Sequence, residues 1–322
     1  MKSFEYQAAS SVGEAVVRLQ QAKGTGVPMG GGTDLVGLMK NRVVNPELVV
    51  DLKVVDSLAY IRRQDGGFAL GAATTVADVQ FSAELGTDYP LLRKAASLVA
   101  SQQIRNQGTV GGNLCQRPRC WYFRNTLTPC LRRDGTYCSA VLGENKYHAI
   151  LGGAGCFIVH PSDLAPALIA LDARAKITGP GGSRVVPMEE FFVLPREDLH
   201  HETILKTDEI LEEVQIPAPM QGAKQVWLKH RIRQVWDFAI LSVACQVQVR
   251  GTAVSDIRLV LGAVAPAPWR CHTAERLLRG SALTPENVDR AIAAELAKAR
   301  PMTQNAYKIE LAAELMRQAL LG

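Results

Sequence analysis

Cysteine is the residue whose placement most limits the chemistry of this chain. Cys115, Cys120, Cys130, Cys138 and Cys156 fall within 42 residues, whereas Cys245 and Cys271 stand alone. Disulfide frameworks belong to short secreted chains. A thiol cluster in a chain of 322 residues that opens without an apolar export segment points to metal ligation instead. The intervals are four, nine, seven and seventeen residues. They match neither the repeated short hairpins of zinc fingers nor the tight cysteine run of bacterial ferredoxins. Spacing alone therefore leaves an iron–sulfur cluster, structural zinc and unligated thiols open. Arg117, Arg119, Arg124, Arg132 and Arg133 are interleaved with the cysteines, beside Trp121, Tyr122 and Phe123. Cations offset the charge of an anionic thiolate cluster and aromatic rings shield it from water.

Two glycine-rich segments form the second chemical signal. One is Pro28-Met29-Gly30-Gly31-Gly32-Thr33-Asp34-Leu35; the other is Thr109-Val110-Gly111-Gly112-Asn113. Consecutive glycines let backbone N–H groups converge, and such concavities bind anionic oxygens. Two of them facing each other can grip a diphosphate. Neither has the pattern of a nucleoside-triphosphate P-loop or of a Rossmann fingerprint. No H-E-x-x-H or G-x-S-x-G is present, so metalloprotease and nucleophile-elbow chemistry lack support, and no catalytic residue is assigned. His200-His201-Glu202 has ligand-type side chains but lies in a polar stretch, which reads as a solvated loop.

Around these segments the chain reads as a soluble globular protein, 47% hydrophobic and 21% charged. Its net charge of +5 does not demand nucleic acid, and no apolar run approaches the ~20 residues of a membrane span. The first 58 residues read strand, helix, strand, helix, strand, with Ser11 as N-cap and Glu14 three residues on. Strands are expected at 67–74, 156–159, 174–178 and 212–216, and helices at 76–84, 90–101, 164–171 and 187–192. After Pro217-Ala218-Pro219 the pattern changes to long strands over 225–231, 238–250 and 254–264, with period-two apolar positions at Val243, Cys245, Val247 and Val249. Helices dominate from Thr273 onward. Two domains follow: 1–222, divided near 58 and carrying a cysteine-rich insertion at 115–156, and 223–322.

Four segments in fixed order carry a family likeness: MGGGTDL at 29–35, QIRNQGTVGGN at 103–113, HPSDLAPALIALDA at 160–173 and KHRIRQVWDFAILSVA at 229–244. With them the chain resembles, over its whole length, the FAD-binding medium subunit of the molybdenum hydroxylase (xanthine dehydrogenase) family. NLCQRPRC at 113–120 and the later cysteines resemble the subgroup with an extra [4Fe–4S] cluster, whose members include subunits of aldehyde oxidoreductase and 4-hydroxybenzoyl-CoA reductase. The reductase form has a ligand where this chain has Tyr147, so the aldehyde oxidoreductase form is the nearer match. The resemblance implies an α+β fold: a two-subdomain FAD-binding unit of the vanillyl-alcohol oxidase (PCMH) type, then a three-stranded antiparallel sheet with a helical bundle. It implies that residues 28–35 and 109–113 cradle the FAD diphosphate, with Arg105 and Asn106 positioning the second turn. Asp163 would accept a hydrogen bond from the ribityl or flavin end, or else cap the helix that follows it. Lys229 would lie near the flavin. Cys120, Cys130, Cys138 and Cys156 would hold the cluster, leaving Cys115 spare. It further implies an electron-transfer role beside a large molybdenum-cofactor subunit and a small subunit with two [2Fe–2S] clusters, passing electrons to an external acceptor. The location would be cytoplasmic, or periplasmic if a partner carries the export signal. A stand-alone FAD oxidase or dehydrogenase and a zinc-bearing assembly module are the competing readings.

Overall fold

The computed structural model describes residues 1–322. Strands β1 (Glu5–Ala8), β2 (Gly26–Met29) and β3 (Leu48–Asp51) form a parallel sheet in the order β1-β3-β2. Helices α1 (Val12–Gln21) and α2 (Leu35–Lys40) make its crossovers. Ser11 caps α1 by accepting from the Glu14 N–H, while the Glu14 carboxylate accepts from Ser10 rather than from Ser11. α1 buries Ala15, Val16 and Leu19 at helical spacing.

An antiparallel sheet, ordered β4-β5-β8-β6-β7, supports the second subdomain. It comprises β4 (Ile61–Gln64), β5 (Gly67–Gly71), β6 (Arg174–Gly179), β7 (Gly182–Pro187) and β8 (Ile210–Ile216). Between β5 and β6 run α3 (Val76–Phe81), α4 (Ala83–Asp88), α5 (Pro90–Ser97), α6 (Gln102–Gln107), α7 (Val110–Leu114), α8 (Trp121–Arg124) and α9 (Leu164–Ala170). The expected helix over 76–84 breaks at Ser82, whose hydroxyl caps α4. The helix over 90–101 stops at Ser97. The strand expected at 156–159 does not form; a single bridge pairs Ala154 with Cys156.

The C-terminal part corrects the expected strand count. Its antiparallel sheet has four strands, ordered β12-β11-β10-β9: β9 (Lys224–His230), β10 (Leu241–Arg250), β11 (Ala253–Gly262) and a two-residue edge, β12 (Trp269–Arg270). Both faces are covered, which explains the unbroken burial of β10 from Leu241 to Val247. Val243, Cys245 and Val247 pack in a core with α10 (His272–Leu278), α11 (Pro285–Leu296) and α12 (Tyr307–Leu321). Ala244 and Val260 join the core that contains α9. Ile150 and Leu151, at the end of the cysteine-rich segment, are buried in the C-terminal core.

Candidate functional site: a groove between the glycine turns and the thiols

The two glycine turns meet directly. A Cβ on Gly31 would lie 1.8 Å from the Gln107 carbonyl oxygen, and one on Gly30 would lie 2.5 Å from Thr109 Oγ1. Only glycine permits that approach. The backbone N–H groups of Gly30 through Leu35 find no protein acceptor, leaving six consecutive donors available. The second turn differs. Val110 donates to Thr74, Gly111 to Ala72, and Asn113 to the Thr109 carbonyl, while Gly112 donates to Thr109 Oγ1. Its amides are therefore used within the fold, and it presents side chains instead. Asn113 Oδ1 accepts from Ser162 Oγ at 2.6 Å. The first turn therefore leaves its amides free for an anionic partner, whereas the second offers side chains.

A cavity of about 250 Å³ opens from these turns and is lined by Thr33, Asp34, Thr109, Gly112, Asn113 and Asp163. It continues into a second chamber of about 370 Å³, reached past Arg119, Pro161, Asp163 and Phe238. That chamber is lined by Cys120, Trp121, Tyr147 and His148, so one groove runs from the glycine turns to the cysteine-rich segment. A smaller apolar slot lies beneath Pro28, Gly30, Thr109, Gly111 and Gly112 and touches Cys115. Met29, Gly31, Gly32, Leu35 and Val110 shape the turns without lining any of these spaces. Three non-glycine residues along the groove adopt positive φ: Ala100 (41°), Trp236 (54°) and Ala263 (61°). Such strain clusters at functional sites. Arg105 Nη1 donates to the Val99 carbonyl at 2.6 Å, fixing the chain just before Ala100.

Asp163 precedes α9 but makes no side-chain capping bond. Ser162 Oγ caps instead, accepting from Ala165 at 3.0 Å. The Asp163 carboxylate pairs with Lys229 at 2.6 Å, and the Lys229 side chain is fully buried. Lys229 Nζ also donates to the Leu98 carbonyl. Burial pushes the Asp163 carboxyl above its ordinary value, opposed by the charges of Lys229 and Arg231. Lys229 lines neither chamber and reaches the groove only through Asp163.

Asp34 bridges the first turn to the thiol segment. It accepts from the Arg117 N–H at 2.8 Å and from Arg124 Nη2 at 2.6 Å, and it pairs with Arg119. Its negative charge is thereby neutralised where an anionic ligand would approach. Glu202 is buried against Arg132 and Arg117, and His201 bonds Asp198. The His200-His201-Glu202 run is therefore a brace, not a ligand set.

All seven cysteines are free thiols. Burial pushes Cys120 up to about 12, with the charges of Cys130 and Cys156 adding to the effect. Cys138 is raised by burial and by Cys130. Burial, Cys138 and Cys130 also raise Cys156, against the pull of the Arg132 cation. Cys130 therefore lies within electrostatic reach of Cys120, Cys138 and Cys156. Cys115, also raised to about 12 by burial, senses only Glu202. No three His, Cys, Asp or Glu side chains converge tightly enough for a single metal ion, whereas zinc requires ligands at ~2.0–2.3 Å. His148 Nε2 lies 3.3 Å from Cys120 Sγ. Sequence reasoning did not single out His148, Asp237 or Phe238, which line the groove beside the expected residues. The QVWDF stretch contains the last two, in a segment already marked by its likeness to a family.

Comparison with known proteins agrees with this geometry. Residues 2–219 match the FAD binding domain in molybdopterin dehydrogenase. Residues 228–322 match the CO dehydrogenase flavoprotein C-terminal domain. The chain is 35% identical to the aldehyde oxidoreductase FAD-binding subunit PaoB of Escherichia coli, over 99% of this chain and 98% of that one. It is 30% identical to the carbon monoxide dehydrogenase medium chain of Hydrogenophaga pseudoflava, over 98% of this chain and 96% of that one. The solved structure of carbon monoxide dehydrogenase from Hydrogenophaga pseudoflava superposes with a TM-score of 0.79, at 29% identity, over 99% of this chain and 96% of that chain. No helix is long and apolar enough to cross a membrane. The chain belongs to the FAD-binding medium-subunit family of the molybdenum hydroxylases, and is an FAD-binding oxidoreductase subunit of such a complex.

Proposed function

We propose that this chain is the flavin subunit of an aldehyde-oxidising molybdenum hydroxylase. It would assemble with a large molybdenum-cofactor subunit and a small subunit carrying two [2Fe–2S] clusters. It would receive single electrons and deliver them to an external acceptor. The observation that carries the reading is the row of six unpaired N–H groups at Gly30–Leu35, facing the Thr109 turn across a groove that leads to Cys120. The similarity to the Escherichia coli aldehyde oxidoreductase subunit supports the substrate class. When bound, FAD accepts electrons singly or in pairs and so couples one-electron donors to a two-electron acceptor.

Each part of the chain has a definite task. Residues 28–35 supply amides to the diphosphate. Thr109 and Asn113 close the opposite side, while Gly111 and Gly112 let the turn pack closely against Ala72 and Thr109. Asp163 offers a carboxylate oxygen toward the ribityl or flavin end, and Lys229, paired with it at 2.6 Å, opposes the burial that favours its protonated form. Cys120, Cys130, Cys138 and Cys156 hold a [4Fe–4S] cluster. Cys130 lies within electrostatic reach of Cys120, Cys138 and Cys156, and Cys115 senses only Glu202, which supports grouping these four thiols. Arg132, with its Nη1 buried and unpartnered, supplies nearby positive charge. The domains divide at 222/223, in the link between β8 and β9. The complex works in the cytoplasm, or in the periplasm if a partner carries the export signal.

Optical spectra and iron and sulfide analysis of the purified chain test this reading. Flavin bands with about four irons and four sulfides per chain are expected. One zinc and no yellow colour would refute it. Cys130→Ser should lower iron while FAD remains, because the thiols and the amide cradle lie in different segments. Full iron in Cys130→Ser, with loss in Cys115→Ser, would move the fourth thiolate to Cys115.

A further inference from the structure

We propose that Lys308 of α12 is a positioning residue: it fastens the segment carrying Tyr147 and His148 and places a buried positive charge behind the thiols, raising the reduction potential of their cluster. The inference rests on the [4Fe–4S] reading given above. Lys308 is 0% exposed. Its Nζ donates to the Tyr147 carbonyl at 2.9 Å and to the Ala263 carbonyl at 2.8 Å. Its acceptors are carbonyl oxygens, with no carboxylate among them. A lysine so buried with no carboxylate partner is costly; burial pulls it down to about 7, so it carries its charge at pH 6, and a neutral donor could have made the same bonds. Ala263 holds positive φ and lines the groove.

Lys308 belongs to a clasp. Asn305 Nδ2 donates to the carbonyls of His148 and Ala149 at 3.0 and 3.2 Å. Gln304 and Asn145 bond each other reciprocally, and Asn145 also donates to Thr303 Oγ1. Residues 303–308 of the C-terminal domain therefore grip residues 145–149, which lie between Cys138 and Cys156. His148, gripped on both sides, touches Cys120 Sγ. Lys308 thus holds the carbonyl of the residue directly before the one whose ring touches the thiol. One-electron reduction of a tetrathiolate cluster adds one negative charge and no proton. A nearby buried cation favours the more negative state.

The test uses the purified chain as expressed. Iron, sulfide and flavin are measured first. A dithionite titration at pH 6, followed by electron paramagnetic resonance, then gives the midpoint potential. Dithionite supplies the electron. Lys308→Met and Lys308→Gln are compared with Lys146→Met, which removes an exposed cation from the same segment. Both Lys308 variants should keep iron and titrate at more negative potential than wild type, while Lys146→Met stays at the wild-type value. Lys308→Gln with full iron and the wild-type potential would overturn the inference. Loss of iron from both Lys308→Gln and Lys308→Met, with or without loss of flavin and fold, would reduce Lys308 to a structural anchor and overturn the inference. A wild-type chain without iron would instead sink the cluster reading itself.

Discussion

The Lys229–Asp163 pair permits a quantitative test of how the groove is held. Its Nζ–Oδ2 distance is 2.6 Å, and the two side chains are 0% and 6% exposed. At an effective dielectric of ~20, unit charges at that distance attract by roughly 6 kcal/mol. Desolvation of both ions offsets much of this, but deleting one partner strands the other and costs about 3–5 kcal/mol. Lys229→Met should fall near the lower end, about 3 kcal/mol, because Asp163 can take up a proton. The sign of the pH effect follows. An acid whose folded pKa lies above its unfolded value binds more protons folded than unfolded, so stability falls as pH rises between the two values. The cost of Lys229→Met should therefore be smaller at pH 5 than at pH 7.5. Asp163→Asn strands the lysine and should cost about 3 kcal/mol as well. The double variant should cost less than the sum of the singles by at least about 2 kcal/mol, the signature of direct contact. Urea unfolding of the cofactor-free chain, read by circular dichroism, measures all three. Single effects that add to within about 0.5 kcal/mol would refute the pairing as an energetic unit.

Two further predictions concern the turns and the acid limb of stability. Gly31→Ala would drive a methyl group into the Gln107 carbonyl. It should cost about 1–3 kcal/mol by overpacking and leave the purified chain with little flavin; a variant with full yellow colour would refute the close approach. Burial pushes His160 down to about 3. Between its unfolded value and 3 the unfolded chain binds the extra proton, so stability falls as pH falls, by up to about 1.4 kcal/mol per pH unit. His160→Gln should flatten the urea midpoint profile between pH 6 and 4; an unchanged slope would place the acid sensitivity elsewhere.

What the sequence disclosed, and what it hid, divides along physical lines. The parallel sheet and its helices were readable because α1 has a capped amphipathic repeat and β3 is an apolar run. β10 was readable from its alternation, although burial on both faces weakens that signal. β4 (IRRQ) and β7 (GSRVVP) escaped notice because both are sheet edges with largely exposed residues. α6 (QQIRNQ) escaped because it buries no residue, so it carries no apolar stripe. The expected strand at 156–159 was an apolar run spent on packing rather than pairing.

The site follows the same division. Residues whose proposed role rests on their own chemistry, the glycines and cysteines, announce themselves by type and spacing. Residues that act by meeting a distant partner do not. Asp34 looked like part of a ligand cradle, yet its carboxylate is taken by arginines 83 to 90 positions away. Asp163 is expected either to meet the flavin end or to cap the helix; Ser162 takes the cap, and Asp163 binds a lysine 66 positions on. Both acids are common types at helix starts, so local context favours the local role. Only the fold, by bringing Lys229 of β9 to the residue just before α9 and the thiol segment against α2, supplies the competing cation. Charge pairs of long sequence separation are thus the part of this groove that spacing could not reveal, and they join the glycine turns, the thiol segment and the C-terminal sheet into one site.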